Sequence, residues 1–235
     1  MATQVDIIVI GAGIAGTSAA SALSENNSVV VLEREAHPGY HSTGRSAATW
    51  APFYGPPVIQ QLTALSYSLL SDPFVEFADT AFTSDKGELM VCSQSNQDEF
   101  DHHFALGMQR LTTPDALKMV PLLKLTETDR VLYTDKMLDI DVDRLHQAYI
   151  RYAKQHGCDL VCDAQVEAID RAEGLWHVVT SKGVWASPVV VNAAGAWADA
   201  IAVMAKAAPV GIQPKRRTAA LVCLLYTSPS PRDRG

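Results

Sequence analysis

"VDIIVIGAGIAGTSAA" (residues 5–20) is followed shortly by a second apolar run, "SVVVLERE" (28–35), and no charge occurs from Ile7 through Ser24. Such a stretch is a membrane span, a secretion signal or a nucleotide-binding turn. A secretion signal wants a positive leading segment, yet no Lys or Arg precedes Arg34. A membrane helix needs about 20 apolar residues, but Gly11, Gly13 and Gly16 would weaken one here. A β-branched run, then glycines, then an alanine-rich run reads instead as strand, tight turn and helix. The run after "ENN" (25–27) reads as a second strand buried on both faces. Together they predict a βαβ unit with a right-handed crossover.

Gly11, Gly13 and Gly16 form G-x-G-x-x-G. The first glycine permits the tight turn, the second lets backbone approach a pyrophosphate, and the third lets helix pack on strand. The helix start then offers unpaired N–H groups to the phosphates. Glu33 ends the second strand, 22 residues after Gly11, where a carboxylate accepts hydrogen bonds from both ribose hydroxyls of an adenosine. In this context the motif predicts dinucleotide binding. The loop "HSTGRSAA" (41–48) adds hydroxyls, backbone N–H groups and the Arg45 charge, suited to a pyrophosphate and a flavin edge. "VVVNAAG" (189–195) is a late strand whose Ala-Gly end brings backbone near the same dinucleotide, or simply packs helix on sheet. FAD is favoured over NAD, because such a loop rarely follows the acidic residue directly in NAD enzymes.

The 235 residues are 48% hydrophobic and 19% charged, ample for a core, and the net charge of -7 argues against nucleic acid as a partner. Cys92, Cys158, Cys162 and Cys223 form no CxxC pair and read as reduced, mostly buried thiols. His102 and His103 are adjacent and read as exposed, so no metal site is expected. The long segment 36–57 carries Tyr40, Trp50, Phe53 and Tyr54, which suggests a functional loop. A helix is expected near 58–70, a strand in "GELMVCS" (87–93), and a short helix capped by Thr113 with Pro114 at its first position. "DVDRLHQAYIRYAKQHG" (141–157) is the clearest helix, capped by Asp143 and closed by Gly157. Its stripe of Leu145, Ala148, Tyr149, Tyr152 and Ala153 assigns both tyrosines to the core. Short strands follow, then a helix near 198–206 and a strand near 218–224.

In combination, GAGIAG, VVVLERE, GYHSTGRSAA, DIDVDRLHQAYIR, VNAAGAWADAIA and QPKRRTA resemble the D-amino acid oxidase/dehydrogenase superfamily of FAD enzymes. Within it the chain is most similar to the D-arginine dehydrogenase type. The resemblance covers residues 6–224. It implies an α/β fold, with a Rossmann-like FAD-binding domain in 1–82 and 140–210. An incomplete α+β substrate domain would occupy 83–139 and 211–224. It also implies noncovalent FAD and oxidative deamination of a D-amino acid to a 2-oxo acid and ammonia, by hydride transfer to flavin N5. Electrons would pass to a quinone or similar acceptor, in a cytoplasmic protein or one peripheral to the inner membrane, without a transmembrane segment.

Residue by residue, the resemblance places Gly11, Gly13, Ala15 and Gly16 at the pyrophosphate and Glu33 and Arg34 on the adenosine side. Ser42, Thr43, Gly44, Arg45, Ser46, Ala47, Ala48 and Thr49 would run along the pyrophosphate and isoalloxazine. Val166 would contact adenine through its backbone, and Ala193 and Gly195 would flank the dinucleotide. Tyr54 matches a pocket tyrosine and Glu88 an acidic residue facing a cationic substrate side chain, although each also reads as an ordinary packing or surface residue. Arg216 or Arg217 is the candidate for the substrate carboxylate, because a guanidinium pairs bidentately, or else the cluster is a solvated turn. Thr49 replaces a histidine of the D-arginine dehydrogenase type and cannot titrate near neutrality, which weakens the case for a basic substrate. The chain is expected to be an N-terminal part of an enzyme, and "LYTSPSPRDRG" (225–235) an artefactual or disordered tail. The alternatives are a related FAD enzyme acting on a 2-hydroxy acid, glycerol 3-phosphate or an N-methyl amine, and a non-catalytic FAD-binding fragment.

Overall fold

The computed structural model describes residues 2–216; Arg217, Cys223, the strand expected near 218–224 and the tail 225–235 lie outside the described residues. In chain order the elements are β1 (Thr3–Gln4), β2 (Ile7–Ile10), α1 (Ile14–Leu23), β3 (Val29–Leu32), β4 (Thr49–Trp50) and α2 (Pro57–Ser71). Next come β5 (Thr83–Cys92), α3 (Gln97–Ala105), β6 (Gln109–Leu111), α4 (Thr113–Met119), β7 (Arg130–Ile140) and α5 (Val142–Gln155). The last are β8 (Asp159–Val161), β9 (Val166–Ala172), β10 (Leu175–Thr180), β11 (Gly183–Ser187), β12 (Val189–Asn192) and α6 (Ala198–Met204).

The opening stretch is strand, turn and helix. Its strand β2 sits inside a four-stranded parallel sheet of order β12-β2-β3-β8. Every residue of β2 and β3 is buried, which explains why both runs are uninterruptedly apolar. Alternation divides them between two faces. Ile8, Ile10, Val30 and Leu32 meet Ile169, Val178 and Ile201 on one side. Ile7, Val9, Val29 and Val31 meet Ala20 of α1 and Ala153 of α5 on the other. Burying each such aliphatic side chain contributes about 1.5–3 kcal/mol. β12 is the outer strand and leaves Val189 47% exposed.

A second sheet, β1-β11-β10-β9, packs on the first through Val178 and Ile169. A third, β4-β7-β5 with β6 also on β7, is antiparallel. Pattern reading passes over β7 for a physical reason. Val131 and Leu132 are both buried, and the register with β5 shifts between Lys86 and Glu88, so the period of two is broken.

Two caps differ from expectation. Asp141, not Asp143, caps α5, its Oδ1 accepting the Arg144 N–H at 3.0 Å; Asp143 already lies in the first turn. Thr112, not Thr113, caps α4 with extended backbone, so Pro114 stands second in the helix. The α5 stripe is otherwise as read: Leu145, Ala148, Tyr152 and Ala153 are buried, and Tyr149 packs on Phe77 with ring centroids 5.0 Å apart. Cys92 and Cys158 are buried and Cys162 is half-buried. His102 is exposed, whereas His103 is half-buried, in edge contact with its neighbour.

Candidate functional site

Two backbone crossings make the glycine turn between β2 and α1. Gly11 has φ +103, and a Cβ there would lie 2.5 Å from the Ala193 carbonyl oxygen, so an alanine is excluded by both conformation and space. A Cβ on Gly16 would stand 1.8 Å from the Gly11 carbonyl oxygen. Ala193 in turn donates its N–H to the Ile10 carbonyl at 2.9 Å. The end of β12 and the end of β2 thus converge on one spot.

Between those glycines, the Ala12 peptide is held from both sides. Its N–H donates to Glu33 Oε2 at 2.8 Å. Its carbonyl accepts from Gly39 N at 3.1 Å and from His146 Nε2 at 2.9 Å, which fixes the Nε2–H tautomer of a buried imidazole. Glu33 Oε1 accepts the Glu35 N–H at 2.9 Å. Glu33 therefore supports the turn as well as facing the cleft. Each of its oxygens keeps a second lone pair for a further donor.

Sequence reasoning missed His146, because its partner lies 134 residues away and nothing in the helical period of α5 marks it. His146→Leu is expected to lower stability by about 1.5 kcal/mol, a fall in Tm of roughly 5 °C. Thermal melting checks this, and an unchanged Tm refutes the role.

Helix α1 has no side chain at its Gly13 cap, and the acceptor comes from outside the helix. Thr43, in a short 3-10 turn (Thr43–Arg45), accepts the Ile14 N–H through Oγ1 at 2.9 Å. The next N–H groups of the first turn, Ala15 among them, have no intrahelical acceptor and remain available to an anion.

These parts border a cleft of about 300 Å³. Its floor is apolar, from Ile10, Leu32, Ala164, Val166 and Ile201. Of the residues expected at a cofactor, the cleft gathers Gly11, Gly13, Ala15, Glu33, Arg34, Ser42, Thr43, Val166, Ala193 and Gly195. Gly16 lies behind it, at the helix–strand crossing. An apolar floor, an acceptor at the end of β3 and an open helix start suit an adenine, a ribose and a pyrophosphate in that order.

Among the exposed and half-exposed residues lining the cleft are Arg34, Tyr40, His41 and Trp197. Glu35 Oε1 accepts from Arg34 Nε and from His41 Nε2, each at 2.8 Å. His41 foremost, and then Arg34, hold the Glu35 carboxyl below the ordinary glutamate range. Because the folded value is depressed, this pairing contributes fully at neutral pH. Its contribution is lost as pH falls through the ordinary glutamate value toward the lower folded one. Carboxyl NMR titration is expected to place the Glu35 midpoint below that of an unpaired glutamate. A midpoint at or above the unpaired value refutes the pairing.

The remaining candidates lie outside the cleft. Gly44, Arg45, Ser46 and Ala47 form an exposed run, with the Arg45 guanidinium 5.2 Å from the Tyr40 ring. Ala48 accepts the Ile140 N–H, and Thr49 Oγ1 accepts from Lys86 Nζ, which also pairs with Asp139. Tyr54 is 72% exposed, Glu88 is half-buried opposite Thr134 in the third sheet, and Arg216 is exposed. The cofactor-side residues are therefore brought together more than the substrate-side ones. His41, Glu35 and Trp197 are additions that no local motif signals.

A family model described as FAD dependent oxidoreductase (DAO) matches residues 6–234. Among solved structures, L-proline dehydrogenase from P. horikoshii superposes with a TM-score of 0.73 at 23% identity, covering 88% of this chain and 57% of that one. Glycine oxidase from Geobacillus kaustophilus gives 0.75 at 21%, covering 86% and 58%. Dithionite-reduced L-alpha-glycerophosphate oxidase from Mycoplasma pneumoniae, with FAD bound, gives 0.73 at 18%, covering 86% and 57%. At these identities the likeness is one of fold, and the chain spans less than three fifths of each of these proteins.

Proposed function

The chain belongs to the FAD dependent oxidoreductase family, and from that premise we propose that it serves oxidative deamination of a D-amino acid to a 2-oxo acid and ammonia. The observation that carries the cofactor half is the Glu33 carboxylate. It is buried at the end of β3, bonded to the glycine turn, and still presents free lone pairs to an apolar cleft. Gly11, Gly13 and Ala15 would receive the pyrophosphate, Glu33 the ribose, and Val166 the adenine. Ser42 through Thr49 would follow the cofactor toward its reactive end, with Gly195 and Ala193 on the opposite wall. Residues 1–82 and 140–210 form the cofactor half in this reading, and 83–139 with 211–224 contribute to the substrate half.

When bound, the flavin supplies the electron sink that accepts a hydride from the substrate carbon. The chain's own residues position and shield. A planar guanidinium, Arg216 or Arg217, would hold the substrate carboxylate bidentately. Tyr54 and Glu88 would border its side chain. Thr49, whose hydroxyl oxygen already accepts from Lys86, offers a hydrogen bond but no titrating proton. Electrons would leave to a quinone or similar acceptor. No helix among the described residues is long and apolar enough to cross a membrane; a place in the cytoplasm or at the inner membrane surface belongs to this proposal.

The test is purification of the chain followed by flavin absorbance and a substrate panel with an artificial electron acceptor. Bleaching of the flavin by D-amino acids supports the proposal. Bleaching by 2-hydroxy acids, glycerol 3-phosphate or N-methyl amines instead reassigns the substrate. Stoichiometric flavin that no substrate reduces makes the chain a cofactor-binding unit.

A further inference from the structure

We propose that Trp197 and Arg34, braced by Glu35 and His41, form a clasp across the mouth of the cleft that governs how fast FAD enters and leaves. The inference rests on the cofactor reading above. The cleft has two walls from distant parts of the chain. One is the end of β3 and the loop after it, carrying Arg34, Glu35, Tyr40 and His41; the other is the turn after β12, carrying Trp197. The walls meet where a guanidinium and a tilted imidazole touch one indole. The Arg34 guanidinium carbon lies 3.9 Å from the Trp197 ring centroid, and the His41 ring lies 4.6 Å from it at a tilt of 54°.

Neither contact stands alone. Glu35 Oε1 receives hydrogen bonds from both Arg34 and His41 at 2.8 Å, so one carboxylate sets the position of both groups that touch the indole. Tyr40 packs edge-on against His41 at 5.1 Å and is in turn met by Arg45. All of these side chains are part-exposed, whereas floor residues such as Ile10 and Ala164 are buried. The contact thus lies on the exposed side of the cleft, away from its buried floor. A cleft of about 300 Å³ lies at the small end of the range for ligand pockets. Arg34 and Trp197 both line this cleft and touch each other across it, so in this proposal the adenosine end of FAD is seated past their contact.

A bridge of this kind has a kinetic signature. Opening it precedes both entry and exit, so loosening it speeds both and leaves their ratio nearly unchanged. An ordinary contact to bound FAD, once removed, raises the dissociation rate alone. Trp197→Ala is expected to raise both rates about tenfold, the scale of one lost partly exposed cation–π stack. The dissociation constant should move less than about threefold, within the same rate argument. Trp197→Phe keeps an aromatic face and should restore most of the wild-type rates. Glu35→Gln leaves the indole in place and weakens the brace, and should move both rates the same way by a smaller factor.

The measurement is stopped-flow quenching of FAD fluorescence on the full 235-residue chain after flavin removal, with circular dichroism on each variant. Parallel acceleration in Trp197→Ala, or in Glu35→Gln should the first variant not fold, establishes the clasp. A faster dissociation with unchanged association, or unchanged rates in both variants, overturns it. A wild-type chain that shows no FAD binding at all overturns the cofactor reading itself, which separates the two failures.

Discussion

Gly16→Ala is expected to yield a chain that retains no flavin and loses at least ~3 kcal/mol of stability, above the usual cost of overpacking. The added methyl would stand 1.8 Å from the Gly11 carbonyl oxygen, a backbone atom that cannot swing aside as a side chain does. Relief requires α1 to lift from the sheet. Ala20, fully buried against the parallel strands, would lift with it. Domains of this kind are stable by about 5–15 kcal/mol in total, so the loss is a large share. Thermal melting and flavin absorbance after purification report the two effects separately. A variant that melts with the wild type and remains yellow would refute the packing argument.

Glu33→Ala is the second large effect, and it is expected before any cofactor is added. The substitution removes two hydrogen bonds to a carboxylate, each worth about 1.5–3 kcal/mol. It also leaves the N–H of Ala12, a residue with no solvent exposure, without its acceptor. The flavin-free protein should melt about 10 °C below wild type. On the proposed placement of the ribose at Glu33, FAD affinity should fall at least ~100-fold, about 2.7 kcal/mol, as an acceptor is removed and the turn loses its shape. Glu33→Gln keeps one acceptor oxygen and should fall between the two. If the flavin-free variant melts like wild type while FAD binding is lost, the carboxylate serves the cofactor alone and its structural role is refuted.

The parts of this site that local pattern makes legible are those built from adjacent residues. Four β-branched or aliphatic residues, three glycines at fixed offsets and a carboxylate at the next strand's end specify β2, α1 and β3 wherever they occur together. Val166 required the family resemblance, since nothing in "VEAIDRA" announces a cleft, whereas the Ala-Gly end of "VVVNAAG" is readable as a dinucleotide wall or as plain helix–sheet packing. His146, Glu35, His41 and Trp197 were legible by neither route. Their significance lies in whom they meet, and the partners are fixed by the packing of distant elements. β7 escaped for the opposite reason: its pattern is local, but a register shift spoils it. Tyr54 and Glu88 do not line the cleft that gathers the cofactor-side residues, and their assignment to a substrate site comes from the resemblance alone.

The bond between His146 and the Ala12 carbonyl has a consequence for how this protein is made. At the usual pace of synthesis, the residues that secure the glycine turn emerge on the order of ten seconds after the turn itself. During that interval β2 also lacks β12, whose Val189 to Asn192 pair with Ile7 to Ile10. The nascent chain therefore displays "IIVI" with one edge unpaired until nearly the whole of the described region has been translated. Closing contacts across such sequence separations is slow. A bare apolar strand waiting for its neighbour is what holding chaperones bind. Competence to take up flavin should arise late and nearly all at once in the life of the newborn chain.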